Sequence, residues 1–371
     1  MGATTQFNLG TERRPFTVEI AVNPFFDLLM AVWSSSEGEE RTLAYEIGTD
    51  WLEAFADATP DAARRDLERF AGSASHLALW LVLGLVADQA SELTTIDETL
   101  EWIGASDLRR EIVAQTCCTS SEADVVAALA GDAEAERRLI DDCTRAREER
   151  IGTFAEKAPA IAEDLVRSVD PAAGALLANA LSVIRREAFS ENEEEWTLAL
   201  QRSAEAVSLL IPGSRPAGLI ERITNGIDFE LPIGITRLVL VPSVVIRPWS
   251  MVAETGSTVV IAYPVAEEHL HADPDAAPSW LVSYYKALGD ARRLKILRRL
   301  SSGPADLGEL TELIGMAKTS TFHHIGVLRS AGLVRVHVGG SNAGTYDLRP
   351  QAFFDADGLL SKYLTLEGMN Q

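Results

Sequence analysis

The chain contains 371 residues, of which 47% are hydrophobic and 7% aromatic, and its formal net charge is −22. This length exceeds that of most single domains, so we expect two or three domains with room for buried cores. The hydrophobic content excludes a disordered chain, and the negative charge excludes a surface that is basic along the whole protein.

The first segment, residues 1–14, is polar and has neither the basic start nor the apolar run of a secretion signal. The longest apolar run, residues 77–87, is too short to cross a bilayer. The cysteines, Cys117, Cys118 and Cys143, are few and odd in number. That pattern is typical of a reducing compartment and favours small buried side chains over disulfides or zinc ligands. We therefore expect a cytoplasmic protein without a membrane segment.

Residues 16–22 alternate between apolar and polar side chains as a strand does, and residues 49–224 show helical periods interrupted at Pro, Gly and Ser. These periods contain no repeat of fixed length, which favours a compact helical bundle. After Gly226 the pattern changes to short β-branched runs at 227–231, 236–242, 244–247 and 257–264. We expect these runs to form a small sheet that residues 16–22 join, giving an α+β body.

A histidine pair, His269 and His271, lies just before a proline-rich linker at 274–279. The two would share one side of an extended chain, but no other cluster completes a ligand set, so a solvated connector is the better interpretation than a metal site. The chain also has no phosphate-binding glycine loop, nucleophile elbow, metalloprotease helix or Cys-x-x-Cys pair. The sequence thus predicts no metal, no cofactor and no catalytic residue.

The C-terminal segment predicts a helix-turn-helix followed by a β-hairpin. Residues 280–300 supply scaffold helices, with core candidates Tyr284, Leu288, Leu294, Ile296, Leu297 and Leu300. Asp306 is placed to cap a short helix over 307–314, and Gly315 is placed to end it. A second helix spans residues 318–331 and ends at Gly332, and strands at 333–338 and 345–348 flank a glycine-rich turn. A hairpin directly after such a helix indicates a winged helix.

Polar side chains fill the first turns of the second helix, where a recognition helix enters the major groove. The candidate DNA-binding residues of this helix and of the hairpin are Lys318, Thr319, Ser320, Thr321, His323, His324, Arg329, His337, Ser341 and Asn342. Residues 280–371 carry 11 basic and 8 acidic residues, a net charge of +3, whereas the remainder of the chain carries −25. We therefore expect the acidic body to stay off the duplex.

Two stretches, YKALGDARRLKIL at 285–297 and HHIGVLRSAGLV at 323–334, closely resemble the ArsR-type winged-helix regulators of bacteria. The resemblance implies a homodimer that binds a near-palindromic operator. Further stretches at 24–29, 238–243, 247–249 and 261–264 resemble a long-form subgroup whose N-terminal region has no assigned activity. The chain departs from the family at Phe322, where members often have serine, and it lacks the Cys-x-Cys of metalloid sensors near 305–310.

These features predict a mainly α fold with small β elements. They place a helical α+β body at 1–273, a linker at 274–279, and a C-terminal winged helix-turn-helix domain at 280–371 whose tail, 353–364, packs on a dimer mate or on the body. The predicted function is a sequence-specific, homodimeric repressor that binds double-stranded operator DNA and responds to a small-molecule effector of the body. Two alternatives stay open: a catalytic body tethered to a DNA-binding module, and a scaffold whose winged helix binds protein.

Overall fold

A computed structural model describes residues 5–7, 16–36, 45–116, 120–151, 158–270, 279–338, 343–350, 352–353, 360 and 363–364. The chain divides into two compact units. The first unit contains Met1–Gln201, Ile235–Ile246 and Met251–Ala262, and the second contains Arg202–Gly234, Arg247–Ser250 and Tyr263–Gln371. The second unit thus includes three stretches that the sequence-based boundary at residue 273 assigns to the body.

Helices dominate both units, which confirms the mainly α fold. Those that begin in the first unit are α1 (Phe25–Ser35), α2 (Thr49–Ala58), α3 (Asp61–Ala71), α4 (Ser75–Asp88), α5 (Ile96–Ala105), α6 (Leu108–Thr116), α7 (Glu122–Leu129), α8 (Ala133–Ile151), α9 (Ala158–Ser168), α10 (Ala173–Ile184) and α11 (Ser190–Ser208). The second unit contains α12 (Pro216–Ile223), α13 (Ser279–Leu288), α14 (Ala291–Leu300), α15 (Leu307–Ile314) and α16 (Lys318–Ser330).

The strands form two sheets, one in each unit. In chain order they are β1 (Thr5–Phe7), β2 (Phe16–Ile20), β3 (Ile227–Phe229), β4 (Arg237–Ser243), β5 (Met251–Thr255), β6 (Thr258–Pro264), β7 (Ala305–Asp306), β8 (Val334–Val338) and β9 (Thr345–Leu348). The sheet of the first unit has the order β1-β2-β4-β6-β5, and that of the second unit has the order β3-β8-β9-β7.

The first sheet joins the two ends of the body, as the sequence predicts. β2 pairs in parallel with β4, with Val18 opposite Leu238, and β5 pairs antiparallel with β6. β4 and β6 are buried along almost their whole length, as is typical of strands covered on both faces. Helices α1 and α4 pack against this sheet.

Two of the predicted body strands behave differently. Residues 244–247 form a turn, because the Asp27 carboxylate accepts hydrogen bonds from the Ser243 hydroxyl and from the Val244 and Val245 amides, which holds the chain in a tight bend. Residues 227–229, as β3, leave the body sheet and pair with β8 in the second unit. The predicted sheet membership of 227–231 and the predicted strand at 244–247 are therefore wrong.

The cysteine prediction is wrong in one respect. Cys143 is fully buried in a cluster with Val113, Val125 and Leu139, but it is disulfide-bonded and is not the free thiol that the sequence predicts. Cys117 and Cys118 lie outside the described residues.

The stretch Asp61–Asp88, which contains α3, a short turn and α4, is long and apolar enough by length and composition to cross a membrane. Of its most apolar window, 61% is buried inside the protein. A buried core helix meets the same criterion, so the stretch is weak evidence for a membrane span.

Packing between α5 and α10 depends on a glycine. A Cβ atom at Gly174 would lie 2.5 Å from the Ile103 carbonyl oxygen and 3.0 Å from that of Ser106. Backbone atoms cannot move aside as a flexible side chain can, so Gly174→Ala should lower the free energy of unfolding by about 1–3 kcal/mol. The matched control is Gly218→Ala in α12, where a Cβ meets nothing within 4 Å and should stabilise by about 0.5–1 kcal/mol. Denaturant titration of both variants checks the opposite signs.

Candidate nucleic-acid interface

The scaffold of the second unit is built on α13 and α14. The Asp290 side chain accepts hydrogen bonds from the Arg292 and Arg293 amides and so caps α14. The predicted core residues Tyr284, Ile296, Leu297 and Leu300 lie in one buried cluster, and Leu288 packs against it. Leu294 is 49% exposed, so its predicted place in the core is wrong.

The helix-turn-helix has the predicted geometry. The Asp306 carboxylate accepts a hydrogen bond from the Glu309 amide at 2.8 Å and caps α15. Gly315 ends that helix in the left-handed conformation, with φ +67°, which glycine adopts without steric cost. After a short turn, α16 spans Lys318–Ser330, and β8 and β9 follow as an antiparallel hairpin. A winged helix is thus present.

Unpredicted elements complete this winged helix. β3 pairs in parallel with β8, with Ile227 opposite Val336, and adds a strand to the wing. The Glu221 carboxylate of α12 lies 2.9 Å from the Arg335 guanidinium and 3.4 Å from that of Arg349. The wing is therefore fixed to α12 and β3, which lie more than a hundred residues earlier in the chain.

The predicted DNA-binding residues of α16 divide by exposure. Lys318, Thr319 and His323 are exposed, and Ser320 is half-buried. These four stay predictions, and they lie in the first two turns, where a recognition helix contacts base edges. The remaining three, Thr321, His324 and Arg329, are buried.

Thr321 and His324 face the interior of the unit. Thr321 is 0% exposed, and its hydroxyl donates to the Ala317 carbonyl of its own helix. Burial lowers the pKa of His324 below its ordinary value, so this side chain is neutral at neutral pH and brings no charge to a phosphate. Neither side chain is available to DNA in this conformation.

Arg329 serves an internal purpose. Its guanidinium is buried, and it donates to the Thr224 carbonyl at 2.8 Å and to the Pro248 carbonyl at 3.1 Å. Burial lowers the pKa of Arg329 to about 10, which leaves it charged at neutral pH. Its donors are thus engaged by the backbone of its own unit.

The wing supplies one described candidate. The His337 Nδ1 atom lies 2.9 Å from the Asp228 carboxylate, across the β3–β8 pair, and the ring is half-buried. This contact directs His337 towards β3. The other wing candidates, Ser341 and Asn342, lie outside the described residues.

A short segment of the second unit lies on α16. We call this segment, Arg247–Ser250, the strap. The Trp249 ring stacks on the Phe322 ring, with centroids 5.8 Å apart and planes 7° apart, and a methyl group at Gly326 would overlap the indole. The Arg329 guanidinium lies 5.6 Å from the centroid of the same indole. The strap was not predicted, although the aromatic Phe322 in a polar helix was a signal for it.

The first unit contains a cavity of about 370 Å³. Most of its exposed wall is apolar, and its polar lining residues include Ser36, whose hydroxyl lies 2.9 Å from the His76 Nε2 atom. Ligand pockets commonly combine an apolar wall with a few placed polar groups. The lining residues are Val32, Ser35, Ser36, Phe55, Ala56, Thr59, Arg64, Leu67, Glu68, Phe70, Gly72, Ser75, His76, Leu79 and Ile184.

The described part of the chain holds no group of three His, Cys, Asp or Glu side chains that could bind a metal ion. His269 contacts Glu268 at 3.9 Å, and His271 and the linker at 274–278 lie outside the described residues.

Comparison with known proteins identifies the helix-turn-helix. Residues 290–336 match the family model of the bacterial regulatory proteins of the arsR family. The chain is also 40% identical over 58 residues to the HTH-type transcriptional regulator NmtR of Mycobacterium tuberculosis, which covers 16% of this chain and 48% of that protein. The match therefore spans about half of the curated relative. No solved structure matches the chain.

Proposed function

We propose that the protein is a DNA-binding transcriptional regulator that acts through the second unit. The observation that carries this proposal is the winged helix, in which a capped α15, a left-handed Gly315 and the polar first turns of α16 are followed by a hairpin. The ArsR-family helix-turn-helix domain at 290–336 supports it independently. Lys318, Thr319, Ser320 and His323 are the proposed base- and phosphate-contacting side chains.

A basic surface on α14, beside α16, supports the same proposal. α14 exposes Arg292, Lys295 and Arg298, and the phosphate backbone attracts such side chains without regard to sequence. The second unit can therefore bind DNA although the whole chain is acidic.

We further propose that the protein is a cytoplasmic, homodimeric repressor. Its two α16 helices would then bind half-sites about one helical turn of DNA apart. Exposed apolar side chains at Val282, Tyr285, Tyr363 and Leu364 are 38–48% exposed and support a dimer contact through α13 and the tail. The cavity of the first unit supports control by a small, mainly apolar effector. No catalytic role is proposed.

The proposal is tested by titrating the purified full chain onto DNA from upstream of its own coding sequence and onto scrambled DNA of equal length. A specific regulator should prefer the native fragment by about a thousandfold or more at near-physiological salt. Equal affinity for the two fragments would contradict the proposal.

Substitutions on α16 should separate base contacts from phosphate contacts. Replacing both Thr319 and His323 with alanine should weaken binding to the native fragment by about 1–3 kcal/mol and leave binding to scrambled DNA nearly unchanged. Lys318→Ala should weaken both and lower the salt slope by about one. Gln201→Ala, an exposed neutral residue of the first unit that lies outside the cavity, is the control and should change neither affinity. Equal losses on both fragments from the double substitution would show that these side chains contact only backbone.

A further inference from the structure

Two contacts hold the strap against α16, and a third fixes where the strap begins. The buried Arg247 guanidinium donates to the Val265 carbonyl at 2.6 Å and to the Glu267 carboxylate at 3.1 Å, which fixes the start of the strap. The Arg329 guanidinium holds the Pro248 carbonyl. The Trp249 indole then lies flat on Phe322. The strap is therefore an ordered part of the second unit.

Trp249 packs on α16 directly beside the residues that carry the proposed base contacts. Phe322 and Gly326 follow Thr319 by three and seven residues, the spacing that places side chains in one row along a helix. His323, four residues after Thr319, lies on the other side of Thr319 from Phe322, because consecutive residues of a helix point about 100 degrees apart. The indole thus lies beside the exposed reading residues and not on the opposite side of the helix.

With Trp249 packed on it, α16 is too wide for the major groove of DNA. The major groove is about 12 Å wide, and an α-helix with its side chains already measures about 10–12 Å across. The Trp249 ring lies with its six-membered edge against Gly326 and its centroid 5.8 Å from that of Phe322, so it adds further width to the helix. With Trp249 in place, the second turn of α16 cannot enter the groove to the depth that base contacts need.

Two residues of α16 are suited to contact with the strap. Glycine inside a helix costs about 0.5–1 kcal/mol relative to alanine, yet Gly326 is the residue whose missing side chain makes room for the indole. Phe322 presents an aromatic ring that is still 48% exposed beside Trp249, in a helix whose neighbouring side chains are polar. Both are explained by packing against the strap.

We infer that the strap is an autoinhibitory cover, and that the conformation with Trp249 on Phe322 and Gly326 is one in which the protein does not read DNA. DNA binding requires the strap to leave α16. The apparent affinity for DNA is then reduced in proportion to the fraction of molecules whose strap is released. This inference rests on the proposed function and adds a regulatory step to it.

The test compares the affinities of full-chain variants for the native upstream fragment. Trp249→Ala should bind at least about tenfold more tightly than the unaltered protein, as expected if fewer than one molecule in ten has a released strap. Gly326→Ala keeps the tryptophan but displaces it, so its affinity should change in the same direction. The double variant should bind no more tightly than Trp249→Ala alone, because both changes act on one contact. Gly218→Ala, a helical glycine with open space around it, should leave the affinity unchanged.

Fluorine NMR of protein labelled with fluorotryptophan gives a second readout. The Trp249 resonance, assigned by its loss in Trp249→Ala, should move to a solvent-exposed position when the native fragment is added, and it should already lie there in Gly326→Ala. Equal affinity of the unaltered protein and both variants would overturn the strap inference and leave the proposed function standing. A Trp249 resonance that saturating DNA does not move would also overturn it. If neither the unaltered protein nor the variants prefer the native fragment, the proposed function fails, and the inference fails with it.

Discussion

Asp27→Ala is expected to lower the free energy of unfolding of the first unit by about 3 kcal/mol at pH 5. The Asp27 carboxyl is fully buried and accepts hydrogen bonds from the Ser243 hydroxyl and from the Val244 and Val245 amides. Alanine would leave these donors without a partner, and a buried unsatisfied donor costs about 1–3 kcal/mol. The turn that they fix connects β4 to the strap. Denaturant unfolding of the full chain, followed by circular dichroism, measures the change.

The stability contributed by Asp27 should fall as the pH rises. Burial, only partly opposed by the hydrogen bonds from Ser243, Val244 and Val245, raises the pKa of Asp27 from 3.8 to about 6. The folded protein therefore binds this proton more tightly than the unfolded chain does, so the contribution is lost as the pH rises through 6. Between pH 5 and pH 8 the difference between the unaltered protein and Asp27→Ala should shrink by about 1 kcal/mol.

Asp27→Asn is the matched control, because the amide keeps an acceptor oxygen and cannot ionise. The difference in stability between Asp27→Asn and Asp27→Ala should be independent of pH. A difference between the unaltered protein and Asp27→Ala that grows with pH would contradict the assignment of a raised pKa.

Arg329→Ala is expected to lower the free energy of unfolding of the second unit by about 3 kcal/mol, within the range for breaking a buried polar network. The substitution leaves the Thr224 and Pro248 carbonyls without a charged donor and removes the cation beside the Trp249 indole. Arg329→Lys keeps the charge, but the compact ammonium cannot reproduce the planar fork of the guanidinium. It should recover only part of the loss.

Hydrogen exchange resolved by peptide is the suitable measurement for Arg329→Ala, because the two units need not unfold together. Protection should fall in peptides from α12, the strap and α16, while peptides from α3 and α4 keep theirs. If Arg329→Ala left the protection of α16 unchanged and weakened only DNA binding, Arg329 would contact DNA as the sequence alone predicts.

Local signals were sufficient for the helix-turn-helix. The Asp306 cap, the Gly315 stop and the Gly332 stop each lie within a few residues of the helix that they bound, so the sequence predicts those helices almost to the residue. It was harder to predict which polar side chains of α16 are exposed. Thr321, at spacings of four and seven from Ile325 and Leu328, belongs to the buried row of the helix, and attention to that spacing would have removed it from the candidates.

The pairing of strands that lie far apart in the sequence could not be predicted from local signals. The β-branched run at 227–229 has the composition of any strand, and nothing local distinguishes a place beside β4 from a place beside β8. The hydrogen-bond partners of Arg329 could not be predicted either, because they are the backbone carbonyls of Thr224 and Pro248, and every residue has such a carbonyl. Burial of a charged residue therefore followed from tertiary structure alone.

The division of the chain has a practical consequence for fragments. The polypeptide passes between the two units at 201–202, 234–235, 246–247, 250–251 and 262–263. A truncated protein that begins at residue 280 would lack β3, α12 and the strap, so the edge of β8 would be left unpaired and Arg335 and Arg349 would lose Glu221. This fragment would be less stable than the intact second unit, and its unpaired strand edge would favour association between copies. It would also lack the strap, so Trp249 would no longer lie on α16. A cut between residues 273 and 280 would leave two pieces that each contain part of the second unit.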